Sequence, residues 1–180
     1  MVLVKIWSVG HGARPLDELL AILREAGIET LVDVRASPGS RRHPHFGAKA
    51  LAASLADAGI GYVHLPGLGG HREPRADSPH RALRVAAFRG YADHLASEEF
   101  ARDYARLAAL ASERKTAFMC AETLWWRCHR RLIADRLTVD GWAVTHLMAR
   151  GKSETHTLWD AARIEDGHLI YDAGTLALSQ

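Results

Sequence analysis

The sequence predicts a three-layer α/β domain, a mostly parallel sheet with helices on both faces. Two observations predict it. Short apolar runs alternate along the chain with longer segments whose apolar residues recur at helical spacing. No internal repeat, low-complexity tract or heptad pattern competes with that alternation. A chain of 180 residues fits one domain, 1–180, with a short C-terminal extension from about 150.

Each element has its own reason. Residues 2–8 carry the β-formers Val2, Val4, Ile6 and Trp7 and predict a first strand, which Gly10-His11-Gly12 ends. Pro15 suits a first helical turn, and Leu16, Leu19, Leu20 and Leu23 then share a face up to Gly27. The apolar run 30–34 predicts a buried strand, 35–46 a loop with Pro38, Gly39 and Pro44, 47–58 a second helix and 61–65 a third strand. Residues 66–80 hold Pro66, Gly67, Gly69, Gly70, Pro74 and Pro79, a loop of a length that is usually functional or mobile. Residues 84–112 read as helix in two pieces meeting near Ser97, where Glu98 and Glu99 place acids in a first turn. A strand at 116–120, a helix at 124–138 and a strand at 142–147 follow. The tail predicts a short helix near 157–163 and a last strand at 168–171.

A hydrophobic fraction of 48% and a charged fraction of 24% exclude a disordered or collagen-like chain. No apolar run approaches the ~20 residues of a membrane span. The N-terminus reads as a strand and not as a basic-then-apolar leader. Two cysteines make no disulfide framework. The expectation is a cytoplasmic protein with reduced thiols, no membrane contact and no obligate protein partner. A net charge of +2 does not announce nucleic acid, but 19 Arg stand against four Lys. Arg forks grip phosphates and carboxylates bidentately. Codon bias in a GC-rich genome is the plain reading of that ratio, but it does not explain where the Arg residues cluster.

In doubly wound sheets ligands bind beyond the carboxyl ends of the strands, near a switch in strand order. The candidates there are Ser8, Gly10 and His11 after strand one, then Asp33, Arg35, Arg41, Arg42 and Phe46 after strand two. His64 and Arg72 follow strand three. Cys120, Glu122, Trp125, Trp126, Arg127, Cys128, His129 and Arg130 follow strand four, and His146 follows strand five. Asp33 either pairs with Arg35 or is a carboxylate held in low dielectric for acid–base work. Glu122 either favours a helix dipole or serves as a base at the cleft floor. His64 is a core histidine or a site residue.

Cys120 before a loop and Arg127 resembles the thiolate loops of thiol phosphatases and rhodaneses. Yet six residues intervene, none is glycine, and Glu122 would repel an anion. Cys120, Cys128 and His129 lack the close Cys pair of common zinc sites, so no metal is expected. Gly67-Leu-Gly-Gly70 leads into a Pro-rich stretch and is neither a Walker loop nor a dinucleotide fingerprint.

An ordered set of motifs runs from about residue 5 to residue 163. It comprises Gly10-His11, Leu31-Val-Asp-Val-Arg35, Ser37-Pro38, Ser40-Arg41, Phe46, His64-Leu-Pro-Gly-Leu-Gly-Gly70, Phe88-Arg-Gly-Tyr-Ala-Asp93, Met119-Cys-Ala-Glu122 and Cys128-His-Arg130. The set resembles the bacterial family called domain of unknown function 488. The resemblance implies a three-layer α/β domain. It also implies an activity linked to some members, removal of 5-hydroxymethyluracil from DNA by an N-glycosylase, with DNA containing a modified base as the partner.

A glycosylase flips its nucleotide, holds phosphates, stacks the base and stabilises a cationic sugar. On that reading Arg35, Arg41, Arg42, Arg72, Arg127 and Arg130 hold phosphates, and Trp125, Trp126 or Phe46 stacks or wedges. Asp33 or Glu122 activates water, and His129, His64 or His11 reads or protonates the base. Ser8, Gly10, Cys120 and Cys128 are candidates to line the site. None of the four Lys lies in a motif, so the expectation is a monofunctional enzyme with neither metal nor organic cofactor. Two alternatives stand beside it. One is a cysteine- or carboxylate-dependent enzyme on another nucleotide or small oxyanion; the other is a nucleic-acid-binding module without catalysis.

Overall fold

A computed structural model describes residues 3–39 and 41–173. In chain order its elements are β1 (Lys5–Gly10), α1 (Leu16–Glu25), β2 (Thr30–Asp33), α2 (Ala48–Asp57), β3 (Gly61–His64), α3 (Ala86–His94), α4 (Glu98–Glu113), β4 (Thr116–Cys120), α5 (Arg130–Val139), β5 (Ala143–Ala149), β6 (Lys152–Thr155), β7 (Ala162–Glu165) and β8 (His168–Tyr171). Six strands form one sheet in the order β3-β2-β4-β1-β5-β6, and β7 pairs with β8 separately. Strands β1 to β5 run parallel, and β6 is an antiparallel edge.

Side chains alternate across the sheet. Val9, Leu31, Ala117 and Met119 pack under α1 and α2 with Leu19, Leu23, Leu51 and Leu55. Ile6, Val32 and Phe118 pack on the other face with Tyr91, Phe100, Leu107 and Leu132 of α3, α4 and α5. The three layers follow from this. Helix α1 shows the local logic: Leu19, Ile22 and Leu23 are buried at helical spacing, with Asp17 and Glu18 in the first turn and Arg24 in the last. The Ser97 hydroxyl accepts the Phe100 N–H at 3.1 Å and caps α4.

After β1 the chain crosses to β2 on one side; after β4 it crosses β1 to reach β5 on the other. The switch in direction therefore lies between the carboxyl ends of β1 and β4. Their ladder continues past both strands, with His11 N–H donating to the Cys120 carbonyl at 3.0 Å and Gly12 N–H to that of Ala121 at 2.9 Å. A Cβ at Gly10 would sit 2.0 Å from the Glu122 carbonyl oxygen, so only glycine lets the two segments meet.

Some expectations are corrected. The first strand runs to Gly10 and not to residue 8, because it is paired on both sides, Gly10 with Cys120 and Val9 with Leu147; Val2 lies outside the described residues. Ser8 is therefore inside the strand. His146 is likewise inside β5, opposite Ser8, and not beyond its end. The helix expected at 124–138 begins at Arg130, after a 3-10 turn at Trp125–Arg127. Residues 157–163 form no helix. Asp166 and Gly167 both have positive φ, 49° and 79°, which makes a two-residue hairpin between Glu165 and His168. That turn draws Ala162 and Arg163 into β7. Strand β6, which the sequence reading leaves out, returns from β5 through Arg150-Gly151.

A buried polar chain ties the extension to the core. Arg130 Nη1 lies 3.4 Å from the Ser8 oxygen, and Ser8 Oγ lies 2.6 Å from His146 Nδ1. His146 Nε2 is 2.9 Å from His156 Nδ1, and His156 Nε2 is 2.8 Å from Asp135 Oδ1. The Tyr171 hydroxyl donates to Asp135 Oδ2 at 2.9 Å. With Asp135 accepting at both oxygens, the geometry accommodates an unbroken run in which Arg130, Ser8, His146 and His156 each donate to the next group. Burial, then His156 and Arg130, push the His146 pKa down to about 2. No helix among the described residues is long and apolar enough to cross a membrane.

Candidate functional site

An open cavity of about 930 Å³ lies at the carboxyl ends of β1, β2 and β4, at the switch point. Of the sequence candidates, His11, Arg35, Arg42, Cys120, Glu122, Arg127, Cys128 and His129 line it. Gly12, His71, Phe88 and Tyr91 join them. Glu122 is the only carboxylate among the described lining residues. Arg42 and Arg127 are exposed, and among the described residues neither guanidinium has a hydrogen-bond or ion-pair partner.

Asp33 does not face the cavity. It is fully buried, accepts Arg35 Nε at 2.9 Å on one oxygen and Nη2 at 2.6 Å on the other, and also accepts the Tyr62 hydroxyl at 2.6 Å. Of the two readings open for Asp33, the ion pair is the one observed, and its assignment as the water-activating carboxylate is corrected. Burial and this bond to Asp33 push the Tyr62 phenol above its ordinary range. Arg35 is only 7% exposed and also reaches the Phe46 carbonyl at 2.8 Å. Its Nη1 lies 3.3 Å from His11 Nε2, while His11 Nδ1 donates to the Gly12 carbonyl at 2.8 Å. Burial, together with the Arg35 charge, lowers the His11 pKa to about 4. His11 is thus a neutral wall of the cavity, both of its nitrogens already engaged.

Other expected binding residues face elsewhere. Phe46 is fully buried against the rings of His11 and His45, at 4.2 and 4.1 Å, so it cannot stack on a ligand. His64 Nε2 bonds the Arg35 carbonyl at 2.8 Å and holds the backbone behind the cavity. Arg72 is committed to Glu99, at 3.0 and 3.3 Å, and to the Gly69 carbonyl. Trp125 lies flat on His146 at 4.2 Å and donates its indole N–H to Glu154 at 2.9 Å. Trp126 is 40% exposed but outside the cavity lining. Arg41 is exposed and also outside it, and its neighbour Ser40 lies outside the described residues.

Arg130 is 1% exposed and anchors the turn after β4. Its Nη2 donates to the Glu122 carbonyl at 2.5 Å and to that of Thr123 at 3.4 Å. Buried guanidiniums that satisfy loop carbonyls are positioning groups, not phosphate clamps. Ser8 and Gly10 serve the same turn from below and do not line the cavity.

The two cysteines and His129 come together at the cavity floor. Cys120 Sγ lies 3.8 Å and Cys128 Sγ 3.7 Å from His129 Nδ1. His129 Nε2 lies 3.1 Å from the Val34 carbonyl, an acceptor only, so Nε2 carries a proton and Nδ1 is the nitrogen that faces both sulfurs. The Arg130 N–H points at the Cys128 sulfur at 3.5 Å. Both thiols are free. Burial opposes a thiolate at Cys128, but the Cys120 thiol, His129 and Arg130 outweigh it and hold Cys128 well below the ordinary thiol value. Cys120 is pushed well above it by its bond to Cys128 and by burial. Nε2 of His129 is bonded to the Val34 carbonyl and Nδ1 is turned to the two sulfurs, so neither nitrogen is turned to a nucleobase, which counts against the expected role of catalytic acid.

His71 lies in the loop after β3, and its φ of 61° turns the chain along the cavity. Phe88 and Tyr91 were quoted only as part of a motif. Nothing in a helical period says which residues of α3 reach a site on the sheet edge.

Compared with known families, residues 15–137 match the one described as Domain of unknown function DUF488. The chain belongs to the DUF488 family. The match spans β2 to β4 and ends inside α5, so it contains Arg35, Glu122 and the Cys120, Cys128 and His129 cluster. It leaves out β1 with His11 and the C-terminal extension. No curated protein and no solved structure matches the chain.

Proposed function

We propose that this DUF488 chain is a monofunctional DNA glycosylase. It hydrolyses the N-glycosidic bond of a modified pyrimidine, with 5-hydroxymethyluracil first among the expected bases. The observation that carries the reading is a cationic cavity in which Glu122 is the only carboxylate among the described lining residues. A volume of about 930 Å³ admits a flipped nucleotide. Arg42 and Arg127 meet the flanking phosphates, since neither guanidinium has a partner among the described residues. Phe88, an aromatic residue in the cavity lining, is the ring on which the base stacks.

Glu122 orients a water and balances the positive sugar as the C–N bond breaks. The bond electrons leave with the base, the water adds to the sugar carbon, and Glu122 takes the water's proton. Asp33 acts through Arg35, as a positioning residue. The test uses end-labelled duplexes containing uracil, 5-hydroxymethyluracil, 5-hydroxymethylcytosine or thymine, scored for alkali-dependent strand cleavage. The expected result is cleavage at one modified base, lost in Glu122→Gln. Full activity of Glu122→Gln overturns the catalytic assignment. Binding without cleavage of any duplex overturns the glycosylase reading in favour of a binding module.

A further inference from the structure

We propose that Cys120, Cys128 and His129 bind one zinc ion at the cavity floor, with its fourth coordination position open to the cavity. The proposal goes beyond the glycosylase reading and stands whatever substrate the cavity takes. It also replaces the expectation of a metal-free chain, which rested on the absence of a close Cys pair in the sequence. Spacing along the chain does not show this cluster, because the turn after β4 folds back and brings Cys128 beside Cys120.

Three observations carry it. The first is convergence. The three donor atoms all lie within 4.8 Å of one another, with sulfur–nitrogen separations of 3.7 and 3.8 Å. Tetrahedral zinc with bonds of about 2.3 Å to sulfur and about 2.0 Å to nitrogen sets such pairs about 3.5 Å apart. The donors thus already surround a single point.

The second is the histidine's orientation. The bond from Nε2 to the Val34 carbonyl fixes the ring so that Nδ1, the remaining nitrogen, is aimed at both sulfurs. A carbonyl behind a ligating imidazole is the usual outer-shell arrangement in zinc sites. A dithiol meant only to form a disulfide needs no imidazole placed evenly between its sulfurs.

The third is the pairing of donor type with exposure. Two thiols and an imidazole select zinc over the hard cations that prefer oxygen. All three residues line the cavity, so an ion there has three protein ligands and one open face, the arrangement of zinc sites that bind water or substrate. On binding, each thiol still protonated releases its proton to solvent, and two thiolates balance the dication. The Arg130 N–H on Cys128 supports that thiolate.

The test uses tag-free full-length protein, reduced with a phosphine, stripped with chelator and titrated anaerobically with cobalt(II). The expected result is about one cobalt per chain, with a thiolate-to-metal charge-transfer band and intense tetrahedral ligand-field bands, displaced by one equivalent of zinc. Cys120→Ser, Cys128→Ser and His129→Gln should each weaken cobalt binding at least tenfold while circular dichroism stays native. Cys128→His should restore binding with a shifted spectrum, which separates ligation from folding. The proposal is overturned if the reduced wild type takes up no cobalt. It is also overturned if the Cys120→Ser/Cys128→Ser double variant binds as well as wild type, or if the cobalt spectrum shows no thiolate band. None of these readouts involves DNA, so failure here and failure of the glycosylase reading are separate results.

Discussion

Asp33 ends β2 and Glu122 lies in the turn after the adjacent β4, two carboxylates with opposite surroundings, and substitution separates their roles. Asp33 neutralises a nearly buried Arg35 and accepts the Tyr62 hydroxyl, so Asp33→Asn leaves an uncompensated charge. Breaking such a pair from one side costs about 3–5 kcal/mol. Glu122 is exposed, so Glu122→Gln should change stability by less than about 0.5 kcal/mol. Urea unfolding of the two variants checks this; equal losses would show that Glu122 also serves the fold. The sequence left both readings open for each residue. A strand-end position is legible from periodicity, but which way its side chain turns depends on partners as far off as Tyr62.

The buried histidines make a second prediction at this scale. His146 has a folded pKa of about 2 and His11 one of about 4, both below their ordinary 6.5. Below pH 6.5 the unfolded chain binds protons that the folded chain does not, so stability is whole above that pH and falls as the solution is acidified toward the folded values. Each such group contributes a slope of about 1.4 kcal/mol per pH unit. Unfolding free energy measured from pH 7.5 to 5 should decline in the histidine range, before carboxylates titrate. A flat profile to pH 5 would contradict the neutral, buried assignments.

At the scale of elements, the close passage of β1 under the turn after β4 depends on one missing side chain. A Cβ at Gly10 meets the Glu122 carbonyl oxygen at 2.0 Å and Arg130 Nη2 at 2.8 Å. Gly10→Ala should cost about 2–3 kcal/mol and lower Tm by roughly 5–10 °C, read by thermal melting. An unchanged Tm would mean that the two segments do not approach so closely. The strands and helices up to residue 149 were legible because apolar period and turn residues agreed locally. The tail was misread because its apolar residues are sparse, and the Asp166-Gly167 turn outweighs any helical spacing at 157–163.

For the whole molecule, strand order decides which loops meet. The order β3-β2-β4-β1-β5-β6 puts the ends of β1, β2 and β4 side by side, and the cavity with them. Listing strand ends therefore located the cavity from sequence, yet it also collected Phe46, His64, Arg72, Trp125 and Arg130, which the packed molecule uses internally. Chain position cannot separate an Arg that satisfies carbonyls from one that faces water. The distinction has a measurable consequence for nucleic-acid affinity. Arg42→Ala and Arg127→Ala should each lower the magnitude of the log–log salt slope of duplex binding by about 1. Arg72→Ala should leave the slope unchanged, because its charge is already met by Glu99. A slope change for Arg72→Ala equal to that for Arg127→Ala would refute the cavity as the phosphate-binding face.

The polar chain from Arg130 to Tyr171 also says where the chain may be cut. The DUF488 match stops at residue 137, two residues beyond Asp135, whose two oxygens are bonded by His156 and Tyr171 from the extension. The family boundary is therefore not a folding boundary. A version trimmed to end at 149 would keep every described residue that lines the cavity and lose the His156 and Tyr171 donors to the fully buried Asp135. Asp135 acts as the socket and the two C-terminal hairpins as its plug, so an expression boundary belongs after Tyr171, with the hairpins kept.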